Sequence, residues 1–424
     1  MEMREIKNSN IEWVGNIPAT WDVAYLSAIF SERKNKNIGF TEQNLLSLSY
    51  GNVKRKDIST NEGLLPESFE GYNIIEKDDI VLRLTDLQND HKSLRTGLCK
   101  ERGIITSAYC TLKRNTDDSD ARYLQYYLHS FDVAKGFYGM GAGVRQGLNF
   151  DGIRKIEILL PPLYEQEKIA NAIDIGVSKV DCLIANQESQ IEKLKAYKQS
   201  LITEVVTKGI DPNVTMKDSG VEWVKTIPNN WDMVYPKALF AQRKDRALPT
   251  DEQLTASQQY GIMNQQEYMR VTGSRVVVVE KDFSILKHVS KGDFVISMRS
   301  FQGGLEYSEV EGCISSAYVM LKPNSEKVFP KYYRWLLKSS LYINSLQSTS
   351  DLIRDGQAMR FANFIKIWLP CPPFEEQQQI ASYLDDVCPK IDSLIAIKQS
   401  KIEKLNQYKR SLIYEYVTGK KEVM

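Results

Sequence analysis

The sequence predicts a mixed α/β protein in which two globular domains alternate with two long helices, the whole being a pseudo-two-fold internal repeat. Three observations predict it. Glu12-Trp13-Val14, Ile17-Pro18 and Trp21-Asp22 recur 210 positions later as Glu222-Trp223-Val224, Ile227-Pro228 and Trp231-Asp232. Pro161-Pro162, Glu165-Gln166, Ile169-Ala170, Lys193-Leu194, Tyr197-Lys198 and Ser200-Leu201-Ile202 recur 211 positions later, from Pro372-Pro373 to Ser411-Leu412-Ile413. A 3-4 apolar repeat follows each proline pair. Self-similarity at a fixed period marks a repeat architecture, and a two-fold repeat suits a target or partner that also has two halves. The expected divisions are a first globule at 1–162, a helical segment at 163–209, a second globule at 210–373 and a second helical segment at 374–424.

Within the globules, Asp79 to Leu84 and Ile104 to Leu112 read as strands, with Asp293 to Met298 and Ile314 to Leu321 as counterparts. An amphipathic helix follows in each: Tyr123, Leu124, Tyr127 and Leu128 share a face, as do Tyr332, Trp335, Leu336 and, less closely, Leu337. Each globule closes on an apolar strand running into prolines, Ile153 to Leu160 and Phe364 to Leu369.

Each helical segment reads as two pieces. A short one, Glu165 to Ile175, stops at Gly176; its twin, Glu375 to Val387, stops before Pro389. The longer piece starts near Ser178, with Asp181 completing a capping box, and ends at Thr207 before Gly209 and Pro212. Its seats are Val177, Val180, Ile184, Gln187, Ile191, Leu194, Lys198, Leu201 and Val205, and in the second copy Cys388, Ile391, Ile395, Lys398, Ile402, Leu405, Lys409, Leu412 and Tyr416. This is a coiled-coil seam whose polar seats coincide between copies and can fix register. The natural partner of each helix is the other, and antiparallel pairing would put the globules at opposite ends. A rod of about thirty residues is about 45 Å long, the length of about 13 base pairs of duplex at about 3.4 Å each.

The bulk numbers narrow the class. Hydrophobic content of 42% and charged content of 26% over 424 residues fit a soluble globular protein. No apolar run of about 18 residues is present, and Met1 to Lys7 lacks the apolar core of a secretory signal. The six cysteines, Cys99, Cys110, Cys182, Cys313, Cys371 and Cys388, form no C-x-x-C pair, and none has a cysteine counterpart in the other copy. They read as reduced structural thiols of a cytoplasmic protein. A net charge of +1, from 55 basic and 54 acidic residues, is not that of a bulk polyanion binder. A nucleic-acid role therefore needs local clustering, or partners that carry much of the phosphate contact.

At the level of motifs, Gly220 to Asp232 and Ile11 to Asp22 resemble the opening of target-recognition domains in the specificity subunit of type I restriction-modification enzymes. Leu160 to Ala170 and Cys371 to Ala381 are similar to that family's proline-glutamine lead into its helical spacers, and the helix endings Tyr197 to Gly209 and Tyr408 to Gly419 also fit. The resemblance covers nearly the whole chain, in duplicate and in order. It implies a non-catalytic adaptor with two target-recognition domains, each reading half of a bipartite, asymmetric double-stranded DNA site. It also implies that the paired helices set the gap and dock two methyltransferase subunits, and that restriction subunits join the full complex. S-adenosylmethionine, ATP and Mg would then be bound by those partners, with no cofactor or metal in this chain.

The enzyme classes find little support in the residues. There is no G-x-x-x-x-G-K-[ST] phosphate loop and no Gly-rich dinucleotide fingerprint. Cys371-Pro372-Pro373-Phe374 is similar to the Asn/Asp-Pro-Pro-Tyr/Phe loop of adenine methyltransferases, but cysteine lacks the side-chain carbonyl that accepts the target amine. It and Leu160 to Leu163 read as helix-opening prolines. His91, His129 and His288 are scattered. The alternative from another class is a coiled-coil scaffold whose two globules bind proteins.

Base reading needs Arg, Lys, Asn or Gln on loops that reach groove edges. The loop after Leu84 offers Arg83, Gln88, Asn89, His91, Lys92 and Arg95; its counterpart offers Arg299 and Gln302. A second loop, Gly139 to Gly147, carries Arg145 and Gln146, and its counterpart Arg354, Gln357 and, just beyond, Arg360. Arg33-Lys34 and Arg243-Lys244 sit at equivalent places, which suits phosphate contact or structural pairing better than base discrimination. The expected helix-pairing residues are Val180, Ile184, Ile191, Leu194 and Leu201 with Ile391, Ile395, Ile402, Leu405 and Leu412.

Overall fold

Tyr123 and Tyr332, equivalent residues of the two copies, are both fully buried and both bind the end of a long helix. The computed structural model describes residues 4–58, 68–87, 89–90, 93–140, 147–276, 278–279, 283–298, 300–349 and 360–423. The chain divides into two compact units: Met1–Glu188 with Ser400–Met424, and Ser189–Gln399. Each unit holds one globule and a part of each long helix.

In the first unit a four-stranded antiparallel sheet runs in the order Phe30–Glu32, Cys110–Arg114, Ile80–Leu82, Thr96–Leu98. The helix Ala121–Val133 starts on Asp120, whose carboxylate accepts from the Arg122 and Tyr123 amides. That is the usual role of a short acidic cap. Its apolar face buries Tyr123, Leu124, Tyr127 and Leu128 in one core with Trp21, Ile80, Leu82 and Leu112. Fully burying such side chains contributes about 1.5–3 kcal/mol each. The run 104–112 is two strands, Gly103–Ile105 and Cys110–Arg114, not one. The Thr106 hydroxyl accepts from the Ala108 amide and the Tyr109 amide donates to the Thr106 carbonyl, so a hydroxyl turn divides the run. Ser315 does the same for 314–321 in the second copy. The closing strands are also shorter than expected: Glu157–Leu160 and Leu369–Cys371, each preceded by a helical turn.

The second unit repeats the frame. Its sheet runs Phe240–Arg243, Val319–Pro323, Phe294–Ile296, Glu306–Tyr307, and its helix Pro330–Leu336 opens on the proline at its first position. The repeated motifs acquire physical roles. Gln166 and Gln377 are buried clamps: their carbonyls accept from the Asp120 and Phe329 amides, and their amides donate to Pro161 and Pro372. Trp21 and Trp231 sit edge-on to Tyr123 and Tyr332, each at 6.5 Å. The Tyr123 hydroxyl lies 3.1 and 3.3 Å from the Leu159 and Val417 carbonyls, and the Tyr332 hydroxyl donates to Val206 at 2.8 Å. Gly419 and Gly209, at φ +71° and +81°, end the long helices against Trp21 and Trp231. A left-handed glycine there releases the chain without a Cβ penalty.

The long helices, Leu163–Lys208 and Phe374–Val417, are each unbroken, which overturns the expected stops at Gly176 and Pro389. In the first unit a Cβ on Gly176 would come within 2.6 Å of Leu412 Cδ2. Gly176 thus serves a close helix–helix approach and does not end the helix. Asp181 is not a capping-box member either; its carboxylate takes Lys409 at 2.7 Å. In the second unit Pro389 is exposed inside the helix, while Ile380, Leu384 and Cys388 are buried in the core. An internal proline costs about 3 kcal/mol, and that burial offsets it.

Pairing in both units is antiparallel. Gly176 and Asp181 meet Leu412 and Lys409 in the first, and Gln190 and Lys198 meet Lys398 and Asp392 in the second. Lys198–Asp392 and Lys409–Asp181 are the same bridge in sequence-equivalent positions, both at 2.7 Å. All eighteen 3-4 seats, the ten named pairing residues among them, are buried or half-buried, whereas residues 181–183, 185, 186, 188 and 189 are exposed.

Candidate nucleic-acid interface

In the first unit the described flanks of the two loops singled out from the sequence come together. The Leu148 amide, just past Gly147, donates to the Leu84 carbonyl at 2.9 Å. Tyr138, just before Gly139, donates its hydroxyl to the Asp90 carbonyl at 3.2 Å. Thr85, Asn89, Met140 and Asn149 are exposed around this junction. Asn89 donates to the Asp86 carboxylate at 2.8 Å, and Arg83 is half-buried, 3.6 Å from Asp90.

Arg95 is a correction. It is fully buried, and its guanidinium is surrounded by loop carbonyls. A side chain in that position has no path to a base edge. Tyr138 stacks on it, with the guanidinium carbon 5.0 Å from the ring centre. Asp132, on the helix below, accepts from the Arg95 amide at 2.7 Å, and its burial pushes its carboxyl up to about 6. Tyr138 and Asp132 escaped sequence reasoning, because neither lies in a loop pattern or a charge cluster.

The second unit builds the corresponding region differently. Ser300–Gly303 forms a helical turn after the strand Phe294–Ile296 and leans on the helix Ser340–Ser348, with Gln347 donating to the Phe301 carbonyl at 2.8 Å. Asn363 donates to the Thr349 carbonyl at 3.2 Å and accepts from the Arg360 amide at 3.1 Å. Gln302, Met298 and Arg360 are exposed. Gln88, His91, Lys92, Arg145, Gln146, Arg299, Arg354 and Gln357 lie outside the described residues.

The aligned basic pairs resolve toward structural pairing. Arg33 grips the buried Asp79 at 2.5 Å, and Arg243 grips the buried Asp293 at 2.6 Å. Each carboxylate also caps a turn, accepting from the Glu76 or Ser290 amide. Lys34 and Lys244 are exposed. A second repeated feature docks each globule on its long helix. Tyr126 and Arg122 hold Asp174 at 2.5 and 2.9 Å, and Trp335 and Arg334 hold Asp385 at 2.8 and 2.5 Å. A cleft beside each dock contains the Lys–Asp bridge and a hairpin tip, Tyr50-Gly51 or Tyr260-Gly261. In the first, burial and the nearby Lys409 and Arg410 push His129 down to about 4. His288 is buried against Asp251 at 2.9 Å.

All six cysteines are free. Burial pushes the Cys99 thiol up to about 11 and Cys110 up to about 12, so both are unreactive. Cys182 departs from the expectation of packed thiols, since it is exposed on the first long helix. Among the described residues no cluster of three His, Cys, Asp or Glu could hold a metal, and no helix is long and apolar enough to cross a membrane.

A family model described as the type I restriction modification DNA specificity domain matches residues 228–407, most of the second globule and most of its following helix. The chain is 25% identical to the putative type I restriction enzyme MjaX specificity subunit of Methanocaldococcus jannaschii, over 96% of this chain and 95% of that one. It is 24% identical to the MjaVIII specificity subunit of the same organism, over 76% and 75%. Over nearly its whole length the chain is therefore similar to type I restriction enzyme specificity subunits. A solved structure described by the assembly and conformational transition of the type I R-M system shares this chain's fold, at a TM-score of 0.66 and 14% identity, covering 95% of this chain and 98% of that one. The family model stops short of the first globule. The Gln166, Tyr123 and Arg33 contacts extend the same frame there, residue by residue.

Proposed function

We propose that this chain is the non-catalytic, DNA-reading subunit of a type I restriction-modification complex, each globule reading one half of a bipartite, asymmetric site. One observation carries the proposal: the frame is duplicated while the reading loops are not. Arg33–Asp79 and Arg243–Asp293 are the same brace, and Gln166 and Gln377 the same clamp. Between those fixed points, the first unit's backbone at Arg83, Thr85, Asp86 and Asp90 is held from inside by an arginine, whereas Ser300–Gly303 forms a helical turn leaning on a neighbouring helix. Equal frames with unequal loops suit two halves of unlike sequence.

The paired helices set the gap between the halves and, with the repeated Lys–Asp clefts, dock two methyltransferase subunits; equivalent surfaces suit identical partners. Restriction subunits join that core. S-adenosylmethionine, ATP and Mg belong to those partners, which also supply much of the phosphate contact that a chain of net charge +1 lacks. Methylation sequencing of the host with and without the gene tests this reading. Loss of one two-part motif on deletion is the expected result, and an unchanged methylation pattern counts against it.

A further inference from the structure

A buried arginine beneath an exposed loop needs an explanation. Transferring a guanidinium into a protein interior is costly unless its charge and every N–H are satisfied. Arg95 has every N–H satisfied. Its Nε donates to the Tyr138 hydroxyl at 3.1 Å. One terminal nitrogen donates to the Arg83 and Thr85 carbonyls at 3.1 and 2.8 Å, the other to the Asp86 and Asp90 carbonyls at 3.3 and 2.5 Å. A guanidinium has five N–H donors, so none is left over.

Four of the five acceptors are main-chain carbonyls of one loop. Such a cage does not merely fill a core, because it dictates where the loop backbone runs. Among the described residues, unit 2 shows no equivalent cage. Just before the last strand of its sheet stand Gly304 and Leu305, and its loop is braced from outside by Gln347. The device is therefore not part of the shared frame. It belongs to the loop that distinguishes one unit from the other.

We propose that Arg95 is a positioning residue for sequence reading by the first unit, fixing the backbone of Arg83–Asp86 and Asp90 so that Thr85 and Asn89 are presented to DNA in one arrangement. The proposal rests on the DNA-reading function given above. Lysine cannot replace the arginine, because an ammonium has three donors and no planar fork. Tyr138 completes the cage by joining the guanidinium to the Asp90 carbonyl.

The test uses the full chain co-expressed with its methyltransferase subunits, comparing wild type, Arg95→Lys and Tyr138→Phe by genome-wide methylation sequencing. Arg95→Lys is expected to relax base preference in one half of the site by about tenfold, in the range of one lost direct contact. The other half and the gap should be unchanged. A residue needed only for stability would lower complex yield and methylation at both halves together, with no change in preference. That result, or an assembled Arg95→Lys complex reading both halves as wild type does, overturns the proposal. Should Arg95→Lys give no complex, Tyr138→Phe decides by the same two outcomes, with a smaller relaxation expected. A wild-type complex that methylates no two-part site would instead sink the functional reading, and this proposal with it.

Discussion

Asp132 shows how a single buried carboxylate couples the first unit's reading loop to pH. One of its oxygens accepts from the Arg95 amide, and the other is buried without a hydrogen-bond partner. Burial raises its folded carboxyl from 3.8 to about 6, against the opposing pull of Arg95. The folded state therefore binds the proton more tightly than the unfolded chain does. The stability this confers is fully present below about pH 4 and is lost as pH rises through about 6. Relative to Asp132→Asn, wild type should lose on the order of 3 kcal/mol between pH 4 and pH 7, at about 1.4 kcal/mol per pKa unit. Denaturant titrations of both proteins across that range check it, and parallel curves would contradict it. At the exposed rim, Asn89→Ala and Gln302→Ala should each alter base preference in a different half of the methylated site, by about fivefold to a hundredfold. Methylation sequencing reads this directly. Arg95 was not legible as a buried residue. An arginine in a polar loop reads as a solvated charge until its carbonyl cage exists, and the cage is closed by Tyr138, 43 residues along the chain.

The long helices show what local sequence signals can and cannot convey. Their 3-4 seats were legible because a seam demands an unbroken period, and that period is visible without a structure. The stops at Gly176 and Pro389 were misread because breaker rules price a helix in isolation. Leu412 needs the space that glycine leaves, and the core around Leu384 and Cys388 carries the helix across the proline. The strands failed for the opposite reason. Thr106 and Ser315 turn the chain with hydroxyls, in segments free of glycine and proline. One prediction belongs to this scale. Inserting seven residues into each long helix keeps every seat in phase and adds about 10 Å. The gap between half-sites should lengthen by about three base pairs, with both half-site sequences unchanged; methylation mapping of the lengthened chain checks it. Altered bases at an unchanged gap would contradict the spacer role.

The whole molecule is one frame used twice. Trp21 and Trp231, Gln166 and Gln377, Asp174 and Asp385 make the same contacts at equivalent places, and the long helices carry matching Lys–Asp bridges. This duplication was fully legible, since it is written in residue identity at a nearly constant offset. What each globule reads was not, because the differing loops gain their shape from contacts such as Arg95 to Thr85 and Gln347 to Phe301. The frame makes an unusual chain possible. Joining residues 1–209 to a second copy of themselves pairs the first long helix with its own duplicate. Lys198 of each copy then meets Asp181 of the other, because Lys409 and Asp392 are their equivalents. The most direct measurement is the methylation motif that this doubled chain directs with its methyltransferase subunits. Two unlike readers on one frame predict that the asymmetric site becomes palindromic, with the first unit's half-site in both arms. An assembled complex that still methylates the original asymmetric motif would contradict the account.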